Sequence, residues 1–103
     1  MAKKQWLYRI QPTRQGMLRD GPTPDEGALI ERHFSYLKGL TDKGIVLLAG
    51  RTLNSDDSSF GIVIYVAEDE KSARAIFQED PAVKAGVFRG EFFPFSIALW
   101  SRE

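Results

Sequence analysis

One histidine and one aspartate, His33 and Asp80, are the residues of this chain best suited to acid–base chemistry. His33 is the only histidine, and there is no cysteine. A thiol nucleophile and a multi-histidine metal site are therefore out of reach, and no metal is expected. An imidazole titrates near neutral pH and can both give and take a proton. A carboxylate bonded to one ring nitrogen holds the tautomer and raises the basicity of the ring. Paired, the two would form a proton-transfer site, with His33 as general acid/base and Asp80 as the group that orients it. The same residues allow a structural arrangement, in which His33 bonds a backbone carbonyl and Asp80 caps the turn at Pro81. Their spacing alone favours the structural arrangement.

The element that must carry His33 runs from Thr23 to Lys43. Thr23 can cap, Pro24 suits the first helical position, and Glu26 stands three residues after the cap to close a capping box. At 100° per residue, Leu29, Ile30, Tyr36, Leu37 and Leu40 form one stripe with His33 in its middle. Glu31, Arg32, Ser35, Lys38 and Asp42 fall on the opposite side. An imidazole on an apolar stripe needs partners. Asp80 would end a second helix that starts at Asp69 and repeats Ala73, Ile76 and Phe77 at helical spacing. A carboxylate there faces the negative end of the helix dipole, and a cationic partner would offset that.

The remaining elements read as strands. Gln5–Gln11 is bounded by Pro12, and Ile45–Asn54 follows a left-handed cap at Gly44. The polar turn Asn54–Ser59 joins the latter to Phe60–Ala67 as a hairpin. Pro81 and Gly86 break regularity before a last strand over Glu91–Trp100, in which Pro94 argues for a sheet edge. Pro12–Pro22, with Gly16 and Gly21, is a long loop of the kind that often contacts ligands. Arg14 and Arg19 could reach a substrate from it. The order β-α-β-β-α-β predicts an α+β ferredoxin-like fold, a four-stranded antiparallel sheet with two helices on one face.

Composition narrows the function classes. At 103 residues the chain reads as a single domain, with 43% hydrophobic and 27% charged residues, ordinary for a globular protein. Fourteen basic and fourteen acidic residues cancel, so no overall field draws nucleic acid or an anionic membrane. The longest apolar run, Ile45–Ala49, is far short of a membrane span, and Arg9 interrupts any leader-like stretch. A cytoplasmic location is the expectation.

The strands are apolar on both faces. Phe60, Ile62, Ile64 and Val66 alternate with Val63, Tyr65 and Ala67, while Phe93, Phe95, Ile97 and Leu99 alternate with Phe92, Ala98 and Trp100. Two helices cover only one face, so a second copy of the sheet is expected on the other.

His33 with Gly44 and the run Ile45–Gly50 beyond it resembles the YciI-like family. So does Asp80-Pro81-Ala82-Val83-Lys84-Ala85-Gly86-Val87, with Pro94-Phe95 further on. The resemblance runs from His33 to Phe95. It implies a ferredoxin-like domain that pairs sheet to sheet as a dimeric α+β barrel, with room for a higher oligomer. It also implies an active site built on a His–Asp pair, here His33 and Asp80. Relatives on this fold include isomerases, lyases and monooxygenases, many without metal or organic cofactor. Where the family often has proline after the Ala-Gly of the second strand, this chain has Arg51.

Other constellations carry less. Ser59-Phe60-Gly61-Ile62-Val63-Ile64-Tyr65 partly resembles the aromatic signature of an RNA-recognition motif. Serines replace the basic residue and glycine before Phe60, and Ile62 replaces the second stacking ring. Gly16, Gly21 and Gly27 have the wrong spacing for a phosphate loop. The expectation is therefore a cofactor-independent isomerase or lyase acting on a small cyclic or aromatic molecule. Arg51, Arg14, Arg19 and Tyr36 are the candidate substrate contacts. The alternative is a non-catalytic ligand-binding or assembly module in which the His–Asp pair is structural.

Overall fold

A computed structural model describes residues 3–101. The chain order is β1 (Lys4–Pro12), α1 (Met17–Asp20), α2 (Pro24–Asp42), β2 (Val46–Arg51), β3 (Gly61–Ala67), α3 (Glu70–Glu79), α4 (Pro81–Lys84) and β4 (Phe88–Phe95). The strands form one antiparallel sheet in the order β2-β3-β1-β4. This is the ferredoxin-like arrangement expected from the element order.

Strand alternation fixes two faces. Trp6, Tyr8 and Ile10 of β1 share a face with Val63, Tyr65 and Ala67 of β3, and these residues are the core beneath the helices. Leu37 from α2 and Ala73 from α3 close it. Each buried aromatic with a polar tip finds an acceptor, as an apolar interior requires. The Trp6 indole N–H donates to Ala67 O (3.2 Å). Tyr65 Oη donates to Ala73 O (2.8 Å), and Tyr36 Oη to Ile76 O (2.7 Å). The opposite face carries Leu7, Ile62, Ile64, Val66, Phe93 and Phe95, and no helix lies over it. Phe93 and Phe95 are exposed there.

Helix α2 has the ends expected from its sequence. Thr23 Oγ1 accepts from the Glu26 N–H, and Glu26 Oε1 accepts from the Thr23 N–H, completing the capping box. At the other end Gly44 takes a φ of 77°. Its N–H bonds Thr41 O while the Ile45 N–H reaches back to Leu40 O, a Schellman closure.

Beyond one-residue shifts at the ends of β1, β2 and β3, the larger differences from expectation lie in β4, the end of β2 and the loop after β1. β4 starts at Phe88 and ends at Phe95, because β1 begins at Lys4 and Gln5 pairs with Phe95. Beyond that point the partner backbone runs out, and the Ile97 N–H bonds the Gln5 side chain instead. Pro94 lies on the edge strand, where a missing donor costs least. β2 stops at Arg51, after which Thr52 bonds Phe60 across the hairpin mouth. The Pro12–Pro22 loop contains the short helix α1, which buries Met17. No described helix is long and apolar enough to cross a membrane.

Candidate functional site

Asp80 ends α3 and caps α4. Its φ and ψ are −57° and 121°, its Oδ1 accepts from the Ala82 N–H at 3.0 Å, and Pro81 takes the first helical position. The run Asp80-Pro81 is thus a cap with a proline behind it, which starts a new helix where a break was expected. The cap turns the carboxylate inward, where it is completely buried.

Two side chains meet it there. Tyr8 Oη donates to Asp80 Oδ2 at 2.7 Å, and His33 Nδ1 lies 2.7 Å from Oδ2 and 2.9 Å from Oδ1. The cap and the His–Asp pair, alternatives at the level of sequence, therefore coexist in one residue. A carboxylate only accepts, so Nδ1 must carry the proton. Burial first, and then the charge of Asp80, push the Tyr8 hydroxyl far above its ordinary range, so it stays a neutral donor. Burial, with Asp80 and Glu79 next, holds Tyr36 up at about 12.

The other side of the imidazole opens on a cavity. His33 packs edge-on against Phe88, with centroids 5.2 Å apart. Its side chain is 14% exposed, and its Nε2 has no protein partner among the described residues yet is not sealed from solvent. The cavity, about 670 Å³, lies between α2 and the β2–β3 hairpin, with Ile10, Phe34, Leu37 and Val63 among its walls. This volume is in the usual range for small-molecule sites. Its origin is local. On the helix-facing rows of the sheet Ala49 stands beside Val63, and Gly61 beside Ile10. Ala49 is small and leaves space above β2, whereas at Gly61 a β-carbon would already stand 3.3 Å from Gly50 O and from the Ile10 side chain.

The sequence candidates fall into different places. His33 and Arg51 both line the cavity. Arg14 forms a two-pronged pair with Glu26 (2.9 and 2.8 Å) and bonds Gly21 O, fastening the loop to the start of α2. This pairing, with the capping bonds from Thr23, holds the Glu26 carboxyl down at about 2. Arg19 pairs with its neighbour Asp20 at 3.2 Å. Tyr36 has its hydroxyl committed to α3. None of these three lines the cavity, although Pro12 and Leu18 of the same loop do. Sequence reasoning missed Tyr8 as a partner of Asp80. The signal was present, since Tyr8 sits between Trp6 and Ile10 on an inward face and a buried hydroxyl needs an acceptor. Among the described residues no group of three or more His, Cys, Asp or Glu could hold a metal.

Residues 8–96 match the model of the YCII-related domain. No curated protein matches the chain. Solved structures share its fold, two of them as follows. One is the 5-chloro-2-hydroxyhydroquinone dehydrochlorinase TftG from Burkholderia phenoliruptrix AC1100, in complex with 2,5-dihydroxybenzoquinone. It is 22% identical, with a TM-score of 0.62 over 88% of this chain and 93% of that one. The other is the uncharacterized protein TM1266 from Thermotoga maritima, 10% identical, with a TM-score of 0.56 over 92% of this chain and 100% of that one.

Proposed function

This chain belongs to the YCII-related family, and on that footing we propose that it is a small-molecule enzyme in which His33 transfers a proton at a cyclic or aromatic substrate. The observation that carries the reading is the division of labour on one ring. Nδ1 is held by Asp80, and Nε2 is left for the cavity. With Nδ1 protonated, Nε2 presents a lone pair and acts first as base, then as acid when the proton is returned. Asp80 is a positioning residue, fixed by Tyr8, by Ala82 and by the cap it makes. An isomerisation needs no more than this: a proton leaves one atom of the substrate and arrives at another. An elimination needs the same first step, followed by departure of a leaving group from the adjacent carbon. The dehydrochlorinase with a similar fold supports such chemistry as a direction. Arg51, on the cavity wall, is assigned to substrate contact. Arg14, Arg19 and Tyr36 remain candidates only if the loop or α3 rearranges on binding.

The working unit in this proposal is a homodimer. The helix-free face offers Leu7, Ile62, Val66, Phe93 and Phe95 as one apolar surface, with the Arg9–Glu91 pair (3.5 Å) beside it. A second copy of that face would cover it and bury roughly 800 Å² per partner or more.

Proton exchange tests the catalytic reading whichever substrate and product the enzyme turns over. The protein is incubated in D₂O with a panel of cyclic ketones and substituted hydroquinones, and loss of acidic C–H signals is followed by ¹H NMR. Catalysed exchange is expected for some members, with a drop of about 10²–10⁴ in His33→Ala. Binding without exchange across the panel would favour the non-catalytic module, a role that the cap made by Asp80 could serve on its own.

A further inference from the structure

Four ionisable side chains line the cavity: His33, Lys38, Asp42 and Arg51. Lys38 and Asp42 neutralise one another through an i,i+4 pair at 3.1 Å on α2. His33 is turned to Asp80. Arg51 has neither a hydrogen bond nor an ion pair among the described residues, so its guanidinium is the uncompensated charge of a largely apolar lining. Its place is set by register. Arg51 pairs with Gly61, and Gly61 with Ile10, so these three stand in one row on the helix-facing side of the sheet. Because Gly61 brings no side chain, nothing on the intervening strand separates the arginine from Ile10.

The imidazole stands beyond the far end of this row. It packs on Phe88 of β4, which pairs with Pro12 of β1, one pair along from the Ile10–Gly90 pair on the same face. From β2 to β4 is three strand spacings, on the order of 14 Å. The cavity is therefore bipolar: a proton carrier at one end, an exposed cation at the other, and largely apolar walls between them. Arginine in such a place suits a carboxylate, which it can grip with two parallel N–H donors.

We propose that the substrate class of this site is a planar aromatic or cyclic carboxylate, docked by its anionic group on Arg51 with its ring against Ile10, Val63 and Leu37. Its reacting edge faces Nε2 of His33. Arg51 is then the residue that sets specificity. The inference deepens the reading of the cavity as an acid–base site and rests on it for the direction of the reacting edge. The charge preference itself does not depend on turnover.

The test is a binding comparison between 2-naphthoate and its neutral counterpart 2-naphthamide, read by calorimetry on the full chain. Wild type is expected to bind the carboxylate about tenfold or more tightly than the amide. Added salt should narrow the gap, because the arginine is exposed. Arg51→Ala should abolish the preference while leaving amide binding in place, and Arg51→Lys should restore part of it. His33→Ala should keep the preference while proton exchange disappears. Equal binding of the two probes by wild type, survival of the preference in Arg51→Ala, or no saturable binding of either probe at millimolar concentration overturns the proposal. A full charge preference with no proton exchange on any substrate would count against the acid–base reading and leave this inference standing.

Discussion

His33 Nδ1 and Asp80 Oδ2 stand 2.7 Å apart although 47 residues separate them in the chain. The contact joins the middle of α2 to the junction of α3 and α4, and Tyr8 from the centre of the sheet bonds the same oxygen. Three elements thus converge on one carboxylate, and the sheet fixes the position of the imidazole through it.

Removing the Tyr8 hydroxyl leaves Asp80 buried with one donor fewer. Tyr8→Phe keeps the ring, which packs against Tyr65 and Phe77, so the cost should be about 1–3 kcal/mol. Urea unfolding should show a lower midpoint with an unchanged slope. A variant as stable as wild type would mean that the bond adds nothing net to stability.

Alkaline pH offers a second handle. All three tyrosines of the chain are pushed above the ordinary value of 10, in each case chiefly by burial. A group with a raised pKa in the folded state stabilises the fold fully below its unfolded value. That contribution is lost as pH climbs past it. Stability should therefore be flat up to about pH 10 and fall above it. Absorbance at 295 nm should show almost no tyrosinate until Tyr36 begins to titrate near 12 or the protein unfolds. Ionisation of even one tyrosine near pH 10 in the folded protein would contradict the packing described.

The proposed dimer has its own test. Phe93→Asp places a charge on the helix-free face, where Phe93 is 43% exposed in the single chain. Light scattering should give a dimer for wild type and a monomer, or an unfolded chain, for the variant. Ile62→Asp serves as the independent check. A well-folded wild-type monomer at micromolar concentration would remove the dimer.

Much of this arrangement is legible in the sequence, and the exceptions have physical reasons. The capping box of Thr23 and Glu26, the cap at Gly44 and the place of His33 on the inner stripe of α2 are local features, and local chemistry decides them. Asp80-Pro81 reads as an ending, because proline breaks a helix from within. It opens α4 instead, since the same proline is at home behind a cap. The limits of β4 depend on where β1 begins, a matter of pairing rather than propensity. Arg14 is as suited to a ligand as to Glu26, and only the fold shows which carboxylate it meets. The cavity lies beside Ala49, whose side chain is short, and missing volume gives no periodic signal.

Asp80→Asn should separate orientation from folding. The amide has one oxygen, which can keep the Ala82 N–H of the cap or the Tyr8 hydroxyl but not both, so the fold should persist at a cost of about 1–3 kcal/mol. It can also present an N–H to His33 and favour the wrong tautomer. Any proton-exchange activity should fall mainly in kcat, by about 10²–10⁴, with KM little changed. A loss confined to KM would assign Asp80 to substrate binding instead.

The tautomer of His33 reports whether Asp80 holds Nδ1 and leaves Nε2 with a lone pair. The chain has one histidine, so a long-range ¹H–¹⁵N correlation spectrum of labelled protein contains one imidazole. At pH 9, above the ordinary range of histidine titration, Nδ1 should carry the proton and Nε2 should show the shift of an unprotonated, pyridine-like nitrogen. Addition of a cavity ligand should move the Nε2 resonance. A spectrum with the proton on Nε2 and a bare Nδ1 would contradict the account, because Asp80 could not then accept from the ring and the nitrogen facing the cavity would hold no lone pair.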